Sequence, residues 1–184
     1  MIITRYQYTE ISRSEAGGKR HYCLPDGSRV PSVTTILDKT INDRVLDDPG
    51  SNPYSQQSHK MAQKIIDNGM IHVNELWGIE VPLYVSGLYA GTTDACGVYK
   101  DRPSIIDYKQ TNKPKKEEWI EDYFLQLVAY GLAHNETHQT DIKQGVILMC
   151  SADFEFQTWE IKDDIWDMWT DKWLQRVEKY YNLN

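Results

Sequence analysis

The chain has 184 residues, 40% of them hydrophobic and 26% charged, with a formal net charge of −7. That length suits one domain with a core of its own, and the hydrophobic share argues against disorder. No apolar run approaches the roughly 18 residues that span a bilayer, and the N-terminus lacks the apolar stretch of a secretory signal, so a cytoplasmic protein without membrane contact is expected.

The elements follow in chain order. Residues 5–12 alternate in character and suit a strand. Residues 21–32 form a hairpin about Pro25-Asp26-Gly27. Ser32 is placed to cap a short helix over 33–37, and 38–53 is a polar loop. A helix over 55–68 carries Met61, Ile65 and Ile66 as its apolar stripe and stops at Asn68-Gly69. Three strands follow, over 78–84, 91–99 and 104–109, with a turn at 100–103. A long helix over 117–134 carries Trp119, Tyr123, Leu127 and Tyr130 at helical spacing. Strands over 144–150 and 154–160 and a last helix over 163–181 complete the chain. The last helix's stripe of Trp166, Trp169, Trp173, Val177 and Tyr180 reads as core rather than as a base-stacking platform. The expected architecture is α/β: a restriction-endonuclease-like core (55–184) with a central mixed sheet flanked by helices, behind a small N-terminal β extension and loop (1–54).

Cys23, Cys96 and Cys150 lie far apart with no Cys-x-x-Cys, the pattern of reduced and mostly buried thiols. A disulfide framework, zinc knuckle or iron–sulfur cluster would need more of them, so no iron–sulfur cluster is expected. The acidic balance weighs against nucleic acid as a partner, but binding depends on local patches, and a metal-dependent site needs carboxylates of its own.

Chemistry concentrates between residues 78 and 134. Along the Ser-Ile-Ile-Asp-Tyr-Lys strand, Asp107 and Lys109 share one face. Alone, Asp-x-Lys is as readily a surface ion pair. Asp94 lies on the preceding strand, after Gly91, and can reach Asp107 if the two strands form a hairpin. Two carboxylates that close repel unless a cation lies between them, and such oxygen donors suit Mg²⁺ or Mn²⁺, one ion or two. Glu80 supplies a carboxylate from the strand before. Gln126 and Tyr130 share a helix face. Lys113, Lys115 and Lys116 form a basic turn directly after the Asp-x-Lys strand, suited to phosphates or simply solvated. Arg5, Arg13, Lys19, Arg20 and Arg29 give the N-terminal part a basic excess, and Ser32, Thr34 and Thr35 are either phosphate contacts or ordinary caps.

Gly-x-x-Asp, an apolar strand ending Ile-Asp-Tyr-Lys, and Gln-x-x-x-Tyr on a helix together resemble the PD-(D/E)XK nucleases. The resemblance is to their RecB-like branch, among its phage exonucleases and mitochondrial genome-maintenance exonucleases. It runs from Pro31-Ser32-Val33-Thr34 through Tyr130. It implies Asp94 and Asp107 as main metal ligands, Glu80 assisting directly or through water, and the Tyr108 carbonyl as a further ligand. His59 matches that branch's metal-binding histidine, with His72 a weaker rival. Lys109 would orient or deprotonate the attacking water, and Gln126 and Tyr130 would support the site and contact the DNA backbone. The implied activity is a metal-dependent deoxyribonuclease, an exonuclease on single-stranded DNA or DNA ends, in phage or genome-maintenance DNA metabolism such as repair or recombination. The alternatives are a structure-specific endonuclease of the same fold and a catalytically silent nucleic-acid-binding module. A phage-encoded chain would act in the host cytoplasm. Monomers and rings both occur among such relatives, so oligomeric state stays open.

Overall fold

A computed structural model describes residues 6–8, 11–16, 19–31 and 53–182. Ser32, Thr34, Thr35 and the expected short helix over 33–37 lie outside the described residues, as does most of the polar loop. The first elements are the strands β1 (Ser12–Ala16), β2 (Lys19–Cys23) and β3 (Arg29–Pro31), paired antiparallel in one small sheet. The expected hairpin turn forms between β2 and β3. Asp26 Oδ1 accepts from Ser28 N–H at 2.9 Å, and Gly27 takes φ +82°. That left-handed position favours glycine. Residues 6–8, expected in a strand, are not extended into one; β1 begins only at Ser12.

Helix α1 (Pro53–Asn68) leads into β4 (Val73–Val85), β5 (Tyr89–Tyr99) and β6 (Arg102–Thr111). Helix α2 (Glu121–His138), β7 (Gln144–Ser151), β8 (Phe156–Lys162) and helix α3 (Asp163–Asn182) follow. The main sheet has five strands in the order β4-β5-β6-β7-β8. Only β6 and β7 pair parallel; the other neighbours are antiparallel. A parallel pair needs a crossover, and α2 supplies it. The β5–β6 turn is tighter than its sequence suggests. Lys100 (φ +48°) and Asp101 (φ +65°) alone turn the chain, and Arg102 already pairs with Tyr99. Both residues in the left-handed region is the two-residue hairpin geometry usually written with Asn-Gly.

Both faces of the sheet are covered. On one, Met61 and Ile65 of α1 pack over Ala95, Ile106, Val146 and Leu148. On the other, α2 and α3 close a larger core around Ile105, Ile147, Phe124, Leu127, Trp166 and Trp173. Every residue of β7 is buried, as a strand covered on both faces requires. The α3 tryptophans are core: Trp166, Trp169, Trp173 and Val177 are buried, while Tyr180 is only partly so. Gly131 is where α2 and α3 meet. A Cβ there would lie 2.5 Å from the Trp166 ring.

Three placements differ from the sequence reading. Ile66 is exposed, because Met61 and Ile65 already fill the face of α1 that meets the sheet. Trp119 is 58% exposed, because the chain from Glu117 to Trp119 is a 3-10 turn and α2 proper starts at Glu121. At its other end α2 continues past His134 to His138, where Gln139 takes the left-handed cap position (φ +52°) that glycine or asparagine more often fills.

The small N-terminal sheet rests on the larger one through Tyr22 and Leu24, which bury with Ala90 of β5. Tyr6 and Tyr8 lodge against the end of α2. The Tyr8 hydroxyl lies 3.2 Å from Cys96 Sγ and 3.3 Å from His134 Nε2. Burial pushes the Cys96 thiol up to about 11 and the His134 imidazole down to about 4. Cys96 and Cys150 are buried and Cys23 partly so, all three as free thiols. Among the described residues no helix is long and apolar enough to cross a membrane.

Candidate active site

β5 and β6 bring Asp94, Asp107 and Lys109 together. The two strands pair as far as Ala95 and Ile106, so Asp94 and Asp107 are the next residues across from each other. There the backbone ladder gives way to a side chain. Asp94 Oδ2 accepts from Tyr108 N–H at 2.8 Å, which ties the carboxylate to the strand bearing its partners. Asp107 and Lys109 are two residues apart on β6 and share a face, as the strand period dictates. The Lys109 ammonium lies 2.6 Å from both oxygens of Asp107, but only its contact to Oδ1 has hydrogen-bond geometry.

This is not a surface ion pair. Asp107 is 4% exposed, and its neighbour Ile106 is fully buried on the opposite face. Burial raises the Asp107 carboxyl above its ordinary value; the Asp94 charge adds to this and Lys109 opposes it. Burial works to lower the Lys109 ammonium, but the charges of Asp107 and Asp94 outweigh it and hold it above its ordinary value. A single ammonium faces two carboxyl groups, and burial, with the Asp94 charge, lifts that of Asp107 to about 7. Asp107 Oδ2 is buried and makes no hydrogen bond among the described residues, and the Lys109 ammonium 2.6 Å away is the positive charge that meets it. The donor set fits a hard divalent cation, since Mg²⁺ is commonly held by one or two carboxylates and water.

The remaining candidates surround this cluster. Glu80 sits on β4 between Ile79 and Val81, which pair with Ala95 and Thr93, so it stands beside Asp94 in register. It is exposed and has φ +50°, a left-handed backbone that a glutamate adopts only under constraint. His59 is half-buried on α1, and His72 is exposed with its ring edge-on to Tyr99. Among the described residues no group of three or more His, Cys, Asp or Glu side chains lies in metal-holding geometry. The Tyr108 ring points to the α1 side of the sheet, where its hydroxyl meets Met70 Sδ at 3.2 Å.

Helix α2 covers the cluster. Tyr123 places its ring 5.1 Å from the Lys109 ammonium. Gln126 and Tyr130 lie three and seven residues further on, on the same helix face, and both are buried. Gln126 Oε1 is a second buried oxygen with no hydrogen-bond partner among the described residues.

A cavity of about 650 Å³ opens directly beyond Lys109. It is lined by Gln110 to Lys115, by Gln57, Ser58 and Met61 of α1, and by Trp119 and Tyr123. Lys113 and Lys115 of the basic turn therefore border this cavity. Gln157 fixes this turn, accepting from Lys115 N–H at 2.8 Å and donating to the Lys115 carbonyl at 2.9 Å. Lys116 lies 5.4 Å over the Trp119 ring and 3.9 Å from Glu118. Trp119 is the residue whose part here the helical spacing concealed, while Tyr123 lines the cavity and also packs against the core. The signal available was a tryptophan three residues after a Lys-Pro-Lys-Lys turn.

No family model matches the chain. Over 98 residues, 50% of this chain, the sequence is 30% identical to Mitochondrial genome maintenance exonuclease 1 of Xenopus tropicalis, and the match takes in 28% of that protein's length. The chain is thus related, over half its length, to a protein that bears the name of an exonuclease. Among solved structures, the crystal structure of SSO0001 aligns with a TM-score of 0.39 at 14% identity, over 70% of this chain and 61% of that one. A likeness at that level carries no argument.

Proposed function

We propose that this chain is a metal-dependent nuclease of the PD-(D/E)XK type that hydrolyses DNA phosphodiester bonds, with single-stranded DNA or DNA ends as substrate. The observation that carries the reading is the buried Asp94–Asp107–Lys109 cluster, in which one ammonium faces two carboxyl groups. The partial identity to a genome maintenance exonuclease supports the same class.

Asp94 and Asp107 would hold Mg²⁺ or Mn²⁺, with the Tyr108 carbonyl, Glu80 and His59 as further ligands, and the ion would supply Lewis acidity and charge neutralisation at the phosphate. The chain's own groups do the rest. Tyr108 N–H holds the Asp94 carboxylate in place. The Lys109 ammonium, fixed by Asp107, would offset the negative charge that develops on a phosphate under attack. It can orient the attacking water through its remaining N–H donors. Tyr123 and α2 shield this ammonium from bulk water, which strengthens its field. Gln126 offers a buried amide oxygen to position a water or a neighbouring donor.

Digestion of end-labelled linear and circular single-stranded DNA, and of duplex, with Mg²⁺, Mn²⁺ or EDTA tests the reading. Metal-dependent loss of linear strands with circles spared is the expected result. Cleaved circles would favour the endonuclease alternative. Binding without cleavage under either metal would favour the silent module.

A further inference from the structure

We propose that Trp119 is a base-stacking platform, and that the cavity between it and α1 is the path of a single nucleic-acid strand leaving the Asp107–Lys109 site. That the strand's phosphate reaches those residues rests on the nuclease reading. The platform itself rests on other observations.

The ring is placed for a ligand. Trp119 is 58% exposed, and unlike the other exposed large hydrophobic side chains among the described residues it lines the cavity. The 3-10 turn from Glu117 to Trp119 holds it there, and Ile120, the very next residue, is fully buried and anchors the turn. An indole held out of the core on a rigid turn matches what sequence-tolerant stacking of a nucleobase needs.

The cavity's charge fits the same occupant. The whole chain is acidic, at −7, yet among the described residues the cavity lining holds Lys113 and Lys115 and no carboxylate. The local balance is opposite in sign to the global one, and it suits a polyanion. Lys116, over the Trp119 ring, adds a third cation, tempered by Glu118 at 3.9 Å. Ser58 and Gln57 offer polar side chains from the opposite wall.

Position completes the case. Tyr123 both lines the cavity and touches the Lys109 ammonium. Gln110 and Thr111, also lining it, continue β6 directly from Lys109. A strand whose phosphate met Lys109 would pass its next nucleotides along Lys113 and Lys115, with a base free to lie on Trp119.

The test is binding without chemistry. A labelled oligo-dT and an abasic strand with the same number of phosphates are titrated in EDTA, and affinity is read by fluorescence anisotropy. Wild type should prefer oligo-dT by roughly tenfold, the size expected of one stacked base. Trp119→Ala should abolish that preference and leave abasic affinity unchanged, while Trp119→Phe should retain most of it. Lys113→Ala with Lys115→Ala should weaken both strands alike and reduce the salt slope by about 0.7 per lysine. The proposal fails if wild type binds neither strand, if it does not discriminate, or if Trp119→Ala weakens both strands equally. The outcomes separate from the nuclease reading. A protein that cleaves DNA without discriminating loses only the platform; one that discriminates without cleaving keeps the platform and loses the nuclease.

Discussion

The Asp94 carboxylate accepts the main-chain N–H of Tyr108 at 2.8 Å, standing where a strand partner's carbonyl would otherwise stand. This bond makes one of the two acidic groups part of the sheet. It holds the carboxylate close enough to act on both Asp107 and Lys109, the residues on either side of Tyr108, and it means that substitutions at Asp94 carry two separable costs.

Asp94→Ala leaves a strand N–H without its acceptor, and should lower stability by roughly 1–3 kcal/mol. Asp94→Asn keeps an acceptor oxygen and should recover most of that loss. Both variants should lose cleavage, because neither restores the charge. Urea unfolding beside a cleavage assay distinguishes the two costs. Asn matching wild type in cleavage would remove Asp94 from the chemistry.

Lys109→Met should destabilise the protein by about 3–5 kcal/mol, because the Asp107 carboxylate then stays buried without its ammonium. Pairing it with Asp107→Asn should return part of the loss. The double-mutant cycle by denaturant unfolding measures the coupling. A value near zero would show that the pair is not held as described.

Gly131→Ala drives a methyl group to 2.5 Å from the Trp166 ring, with the ring fixed between α2 and α3. Such overpacking should cost about 1–3 kcal/mol. Thermal unfolding checks it, and an unchanged midpoint would mean that α3 shifts freely.

The pH dependence of stability should carry the signature of His134. Its imidazole is held down to about 4 by burial, and by His138 beside it, against an ordinary value of 6.5. Between those values the unfolded chain binds a proton that the folded one excludes. The stability is therefore fully present above pH 6.5 and lost as pH falls toward 4, by at most about 3 kcal/mol. Unfolding free energies at pH 7.5 and 4.5, for wild type and His134→Asn, read the slope. The variant should be less steep in that window.

Much of the architecture was legible because periodicity and burial agree. The apolar run Val146–Cys150 of β7, the tryptophan stripe of α3 and the hairpin at Pro25-Asp26-Gly27 each carried one consistent signal. Asp107 and Lys109 were placed on one face by strand alternation alone. The failures came where local structure left its usual period. Trp119 fits a helical stripe but falls in a 3-10 turn, which rotated it out of the core. Lys100-Asp101 turns without glycine, at a backbone cost that no composition rule reveals. That Asp107 is buried rather than exposed at a strand end goes with α2 packing over β6, where Tyr123 meets Lys109 across a loop that strand periodicity does not encode.

The central claim is that Asp94, Asp107 and Lys109 form a metal-dependent phosphodiesterase site. The most direct test compares wild type with Asp107→Asn on labelled linear single-stranded DNA, in Mg²⁺ and in EDTA, after circular dichroism has shown the variant folded. The account predicts cleavage by wild type in Mg²⁺ alone, and a loss of about a hundredfold or more in the variant. Cleavage by the variant at the wild-type rate, or wild-type cleavage undiminished in EDTA, would contradict it.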